Sequence, residues 1–274
     1  MKSKLNLILL GTTLMAAACG ADDLSDKGAD IFEKNSHAVV TVQAVVKGPD
    51  GHNGTRENKQ DITGTVIDPS GLTAVALSSV DPTELYRKIS EKFGKTELEV
   101  TDIKILLDDG TELPAEIVLR DRDLDLAYLR PKIKPTAPMA YVDFSKASPL
   151  KVLEQVLTLN RLNRAAGRAY SISEERIAAV IHKPRTFYIP GSSQSTTSLG
   201  SPAFALSGNV VGMFVMRAVN GEDANAATYH EYITAILIPA EDVLKGEKQA
   251  LEAKPEADKP ASAAPADKPK DDKK

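Results

Sequence analysis

The chain is poor in the residues that staple small scaffolds and build metal sites. Its single cysteine, Cys19, excludes an intramolecular disulfide. Its histidines, His37, His52, His182 and His230, lie too far apart for a zinc site of His/Cys spacing. No metal or cofactor is expected. A basic excess is also missing: 34 Lys and Arg face 38 Asp and Glu, for a formal net charge of -4. Nothing is left over to neutralise a phosphate backbone, so nucleic acid is not an expected partner. The apolar run at residues 5–15 is about half the ~20 residues that a membrane-spanning helix needs. What remains is an ordinary globular composition, 274 residues with 42% hydrophobic and 26% charged, enough for one large domain or two small ones.

The two ends stand apart from the rest. Lys2 and Lys4 precede the apolar run, which closes in Ala16-Ala17-Ala18-Cys19-Gly20, the layout of a secretory signal. The sole cysteine sits where cleavage would make it the new N-terminus. This resembles a bacterial lipobox, with Ala16 where leucine is commoner, and the resemblance implies a lipid on the Cys19 thiol and loss of residues 1–18. The mature protein would then be held at a membrane through Cys19 rather than inserted across it. Its place would be the bacterial cell envelope, on the periplasmic face or the cell surface. Residues 253–274 contain no aromatic or branched aliphatic side chain. They cannot bury enough apolar surface to offset their ordering entropy, so a solvated tail is expected.

Between the ends, residues 19–35 form a linker that can make one amphipathic helix, with Ile31 and Phe32 on its apolar face. The hydrophobic period then becomes two. A strand is expected over 38–46, a polar loop over 48–61 with a turn at Asn53-Gly54, and a hairpin at 64–77 around Asp68-Pro69-Ser70-Gly71. A short helix is read over 81–93, then strands over 103–107, 112–119 and 124–129. Three prolines in 131–138 break the pattern between two halves. The second half repeats it with strands over 152–159, 170–172, 176–181, 185–189, 203–206, 208–216 and 232–238, and a helix from Ala240 to about Glu252. Many short strands and few helices predict an all-β chain of barrels or sandwiches.

The order of motifs is similar to that of trypsin-like serine peptidases of the HtrA/Deg kind. Ser36-His37-Ala38-Val39-Val40-Thr41-Val42 looks like the first strand of that family, and Gly64-Thr65-Val66-Ile67-Asp68-Pro69-Ser70-Gly71-Leu72 resembles the hairpin before its catalytic histidine. The stretch from Leu107 to Val118, followed by Leu124-Asp125-Leu126-Ala127, is similar to the surroundings of its aspartate. Ser201-Pro202-Ala203 and Gly208 to Met213 resemble the strands after its nucleophile. The likeness implies two antiparallel β-barrels with short N- and C-terminal helices. The first barrel would span about 36–131, the linker 132–138, and the second barrel with its helix 139–252.

Amide hydrolysis of that kind needs a hydroxyl nucleophile, an imidazole base, a carboxylate that orients it and amides facing the oxyanion. The resemblance puts Asp125 at the carboxylate position. Ser78, or Ser79 after a one-residue shift, falls at the histidine position, Leu199 at the nucleophile, and Thr197 at the oxyanion glycine. None of these three can perform the role. The implied protein is a degenerate, non-catalytic relative that presents the former substrate cleft to a peptide or protein partner, with an edge strand available for β-augmentation. An active envelope endopeptidase that uses a displaced Ser198 or Ser201, with Lys183 approaching from elsewhere, is the alternative. A structural envelope protein is a third reading. Only the tail follows the last helix, so the family's usual PDZ module is not expected.

Overall fold

The computed structural model describes residues 19–49, 54–83, 85, 98–191, 198–219 and 228–253. Among the described residues, twelve strands form two closed antiparallel six-stranded barrels. In the first, β1 (Val39–Pro49), β2 (Thr55–Val66), β3 (Thr73–Ala76), β4 (Glu99–Leu106), β5 (Glu112–Asp121) and β6 (Leu126–Pro131) close in the order β1-β2-β3-β6-β5-β4. In the second, β7 (Gln155–Arg161), β8 (Tyr170–Ile181), β9 (Phe187–Pro190), β10 (Pro202–Ala205), β11 (Val210–Ala218) and β12 (Ile233–Pro239) close as β10-β11-β12-β9-β8-β7. The expected double barrel is therefore the fold. Its interiors are filled by the alternate residues of β-branched strands: Val40, Val42, Val66, Val75, Ile105 and Leu129 in one, Val156, Ile177, Val211, Phe214 and Leu237 in the other.

Among the described residues, three α-helices accompany the barrels: α1 (Cys19–Asn35), α2 (Leu77–Val80) and α3 (Ala240–Glu252). On α1, Ile31 is buried and Phe32 packs partly buried against the core, as the amphipathic pattern predicts. α3 starts directly after Pro239, with Glu241 and Asp242 in its first turn, where acids suit the exposed amides. Both its ends are held by the first barrel. The buried Tyr128 hydroxyl donates to the Val243 carbonyl at 3.1 Å, and Arg130 donates to the carbonyls of Ala250, Leu251 and Ala253.

The strands depart from expectation in three places. Much of the polar stretch 48–61, expected to be a loop, is strand. β2 begins at Thr55, opposite Pro49, and pairs with β1 along its whole length. Its first five residues are exposed, so hydrophobic alternation is absent where backbone pairing alone makes the strand. The segments 170–172 and 176–181 are one continuous β8, whose polar middle pairs with β7. β7 itself starts at Gln155 instead of 152, because Val152 and Leu153 form an exposed turn. The helix read over 81–93 and the turn at Asn53 lie largely outside the described residues, as do residues 1–18 and 254–274.

Candidate functional site

β3 pairs with β6 so that Ala76 stands opposite Leu126, which sets the first residues of α2 beside the turn that ends in Asp125. That turn is shaped by Asp121, whose Oδ1 accepts from the amides of Asp123 at 3.0 Å and Leu124 at 2.9 Å. Asp125 adopts φ 56, a left-handed conformation that a short polar side chain tolerates better than most. Three donors converge on its carboxylate. The Ser78 amide donates to Oδ1 at 2.7 Å, the Ser78 hydroxyl to Oδ2 at 2.9 Å, and the Met216 amide to Oδ2 at 2.7 Å. Met216 belongs to β11, so this carboxylate joins the two barrels. Neither Met216 nor its role was legible in the sequence, since it lies 91 residues from Asp125.

Leu199 is 8% exposed and shares an apolar cluster with Ala76, Met216 and Ala235. The structure thus gathers Ser78, Asp125 and Leu199 at the junction of the barrels. The loop that carries Leu199 is clamped across that junction. Gly200 has φ 85, and a Cβ there would lie 2.1 Å from the Thr63 carbonyl oxygen, so only glycine fits. The Gly200 carbonyl accepts from the Thr65 hydroxyl at 2.8 Å. Ser201 is fully buried, and its hydroxyl donates to Asn160 Oδ1 at 3.2 Å. The same oxygen accepts from the Thr63 hydroxyl at 2.6 Å and the Arg161 amide at 2.8 Å. Asn160, Thr63 and Thr65 form a polar hub that sequence reading missed, because neither β2 nor β7 signals which face meets the other barrel. Ser198 is 8% exposed, and the Ser79 carbonyl accepts from Gln60 at 2.7 Å. Thr197 lies outside the described residues.

The histidines are dispersed. His37 Nδ1 lies 3.1 Å from Asp108 Oδ2, in a cluster with Tyr170, while His182 and His230 are exposed and His52 is outside the described residues. Lys183 is exposed in the β8–β9 turn.

Beside Ser78 and Asp125 opens a cleft of about 270 Å³, lined on one side by Asp81 and Leu124 and on the other by Phe187, Met216 and Arg217. The Arg217 guanidinium lies 4.9 Å above the Phe187 ring. One edge of β11 faces this cleft. Phe214 bonds away from β12, its amide to the Ser201 carbonyl at 3.0 Å and its carbonyl from the Gly200 amide at 2.8 Å. Met216 points the same way, toward Asp125. Alternation along the strand puts Ala218, which lines the cleft, on that edge too.

A family model for the trypsin-like peptidase domain matches residues 31–213, from the last turn of α1 into β11. The chain belongs to the trypsin-like peptidase family. Among solved structures, the protease domain of MamO from Magnetospirillum magneticum, in its apo form, aligns with a TM-score of 0.52 and 16% identity, covering 78% of this chain and 98% of that one. The crystal structure of Deg5 aligns with a TM-score of 0.55 and 16% identity over 84% of this chain and 96% of its own. At that identity the two likenesses speak to fold alone. No curated protein sequence matches the chain.

Proposed function

We propose that this member of the trypsin-like family is catalytically inert, is held at the bacterial cell envelope through a lipidated Cys19, and binds a peptide or protein segment in the cleft beside Asp125. The observation that carries the reading is the pairing of Ser78 with Asp125. The residue at the family's histidine position is a serine whose amide donates to one carboxylate oxygen and whose hydroxyl donates to the other, and a serine is no base near neutral pH. Leu199, at the nucleophile position, is buried among apolar side chains. Among its serine neighbours, Ser201 is buried with its hydroxyl committed to Asn160. For binding, the support is the exposed edge of β11 at Ala218 beside a cleft of mixed apolar and charged walls, which suits an extended peptide added as a strand.

The test has two arms. A fluorophosphonate probe and casein are applied to the mature protein and to its Ser78→Ala, Ser198→Ala and Ser201→Ala variants. No labelling and no turnover are expected. Strong labelling lost in one alanine variant would identify a displaced nucleophile and overturn inertness. For the cleft, a phage-displayed random peptide library is panned on wild type and on Ala218→Pro, which removes an amide from the open edge without touching the β12 pairing. Enrichment on wild type alone supports the cleft; equal enrichment on both places binding elsewhere.

A further inference from the structure

The turn before β7 presents two adjacent aliphatic side chains to solvent, Val152 at 52% and Leu153 at 68% exposure. It is neither loose nor relaxed. Leu153 sits at φ 67, a backbone region that a leucine enters only at a cost. Hydrogen bonds hold it there: the Leu153 amide to the Ile177 carbonyl at 2.8 Å, the Ile177 amide to the Glu154 carbonyl at 3.1 Å, and the Lys151 amide to Glu154 Oε2 at 2.6 Å. Arg176 also donates to the Leu153 carbonyl at 3.3 Å. A rigid, strained turn whose outward side chains are aliphatic is a poor choice for a surface that meets only water.

Its position says what it meets. α1 lies along β7 and β8 with Phe32 edge-on to Tyr170, which pairs with Arg161 at the far end of β7. Gly28 faces Leu157, and Leu24 and Ser25 line a groove with Leu157 and Glu174. The helix therefore runs parallel to β7 and antiparallel to β8. At a rise of ~1.5 Å per residue its first residue, Cys19, lies about 7.5 Å beyond Leu24, in the direction in which β7 leads back to Leu153. The start of α1 and the 151–154 turn share one end of the molecule.

We infer that the Val152–Leu153 turn inserts into the lipid surface to which Cys19 is anchored, giving the protein a second membrane contact that fixes its orientation. This rests on the reading of Cys19 as lipidated. The local charges carry no basic excess: Lys151 and Arg176 stand against Glu154, Glu174 and Glu175. The contact is therefore apolar and needs no anionic lipid.

The chain contains no tryptophan and one cysteine, so both can be used as reporters. The mature chain from residue 19 is coupled through Cys19 to a maleimide lipid in phosphatidylcholine vesicles that carry brominated acyl chains, with a single tryptophan introduced as Val152→Trp or, at the opposite end of β7, Leu162→Trp. Emission from residue 152 should shift to the blue and be quenched, while emission from residue 162 should not change. Equal responses at the two positions, or none at 152, would overturn the proposal. As a second measurement that avoids the bulky substitution, Leu153→Asn keeps a residue suited to φ 67. It should lower partitioning of the uncoupled Cys19→Ser protein into the same vesicles roughly tenfold; unchanged partitioning would also overturn it. Mass analysis of the N-terminal peptide from cells tests the anchor itself: an unmodified Cys19 would sink the lipoprotein reading and leave the vesicle results standing on their own.

Discussion

Ser78 and Asp125 are joined twice, by an amide at 2.7 Å and a hydroxyl at 2.9 Å, and the same carboxylate takes the Met216 amide from the other barrel. In this chain the aspartate serves as a structural acceptor between barrels.

Its removal should therefore cost stability. Asp125→Ala strands the amides of Ser78 and Met216 and puts alanine at a positive φ, so we expect a loss of about 2–4 kcal/mol. Asp125→Asn keeps one acceptor oxygen and suits the backbone, and should lose about half as much. Urea unfolding of the two variants checks the order; equal losses would refute the role.

Leu199→Ala should destabilise by about 2–3 kcal/mol, since it opens a gap among Ala76, Met216 and Ala235. Leu199→Ser should lose at least as much and gain no reactivity toward a fluorophosphonate, because no imidazole is supplied at residue 78. Thermal melts and probe labelling read the two effects separately.

Arg130→Ala removes the donors that meet the carbonyls of Ala250, Leu251 and Ala253 at the end of α3. About 1–2 kcal/mol should be lost. Amide exchange should rise in the last turn of α3 and leave β7 and β8 unchanged.

Acid should loosen the junction between barrels on the face that carries the arginines. Partial burial works to raise the pKa of Asp61, but hydrogen bonds from Gln43, Arg168 and Arg164 outweigh it and the net shift is downward. Asp108 is lowered in the same way, its burial outweighed by hydrogen bonds from Tyr170 and His37 and by Arg161. A depressed carboxylate contributes stability above its unfolded value of about 3.9 that disappears as pH falls through the folded value. Asp61→Asn should thus lower stability at pH 6 and leave little difference from wild type near pH 2.

Glu247 behaves oppositely. Burial, with Asp68 and Asp143 nearby, raises it to about 7. Its charged form opposes folding, so stability falls as pH rises from its unfolded value of about 4.3 through 7. Glu247→Gln should be more stable than wild type at pH 8, by about 1 kcal/mol after allowance for solvent screening, and equal to it at pH 4. Unfolding curves at the two values decide the sign.

How much of this was legible beforehand follows the range of the interactions. The strands around Val39 to Val46, Leu126 to Leu129 and Val210 to Met216 declared themselves, because a buried face imposes alternation or an apolar run on the residues themselves. The hairpin at Asp68-Pro69-Ser70-Gly71 did too, because turn chemistry is local: the Gly71 amide closes on the Asp68 carbonyl at 2.9 Å. By contrast, the exposed half of β2 and the unbroken β8 carry no hydrophobic period. They are strands because β1 and β7 supply backbone partners.

By itself, then, the sequence determined most of the barrel strands, the tight turn at Asp68-Pro69-Ser70-Gly71 and the place of the lone cysteine after an apolar run, all properties of residues and their neighbours in the chain. Only the tertiary structure decided that Ser78 caps Asp125, that Met216 completes that cap from the second barrel, and that Asn160 and Thr65 lock the Leu199 loop. It alone also decided that the start of α1 lies at the same end as Leu153. Each of these relations spans tens of residues or more, and hydrogen bonds and packing are set by where closed barrels bring their faces together, which no local pattern encodes.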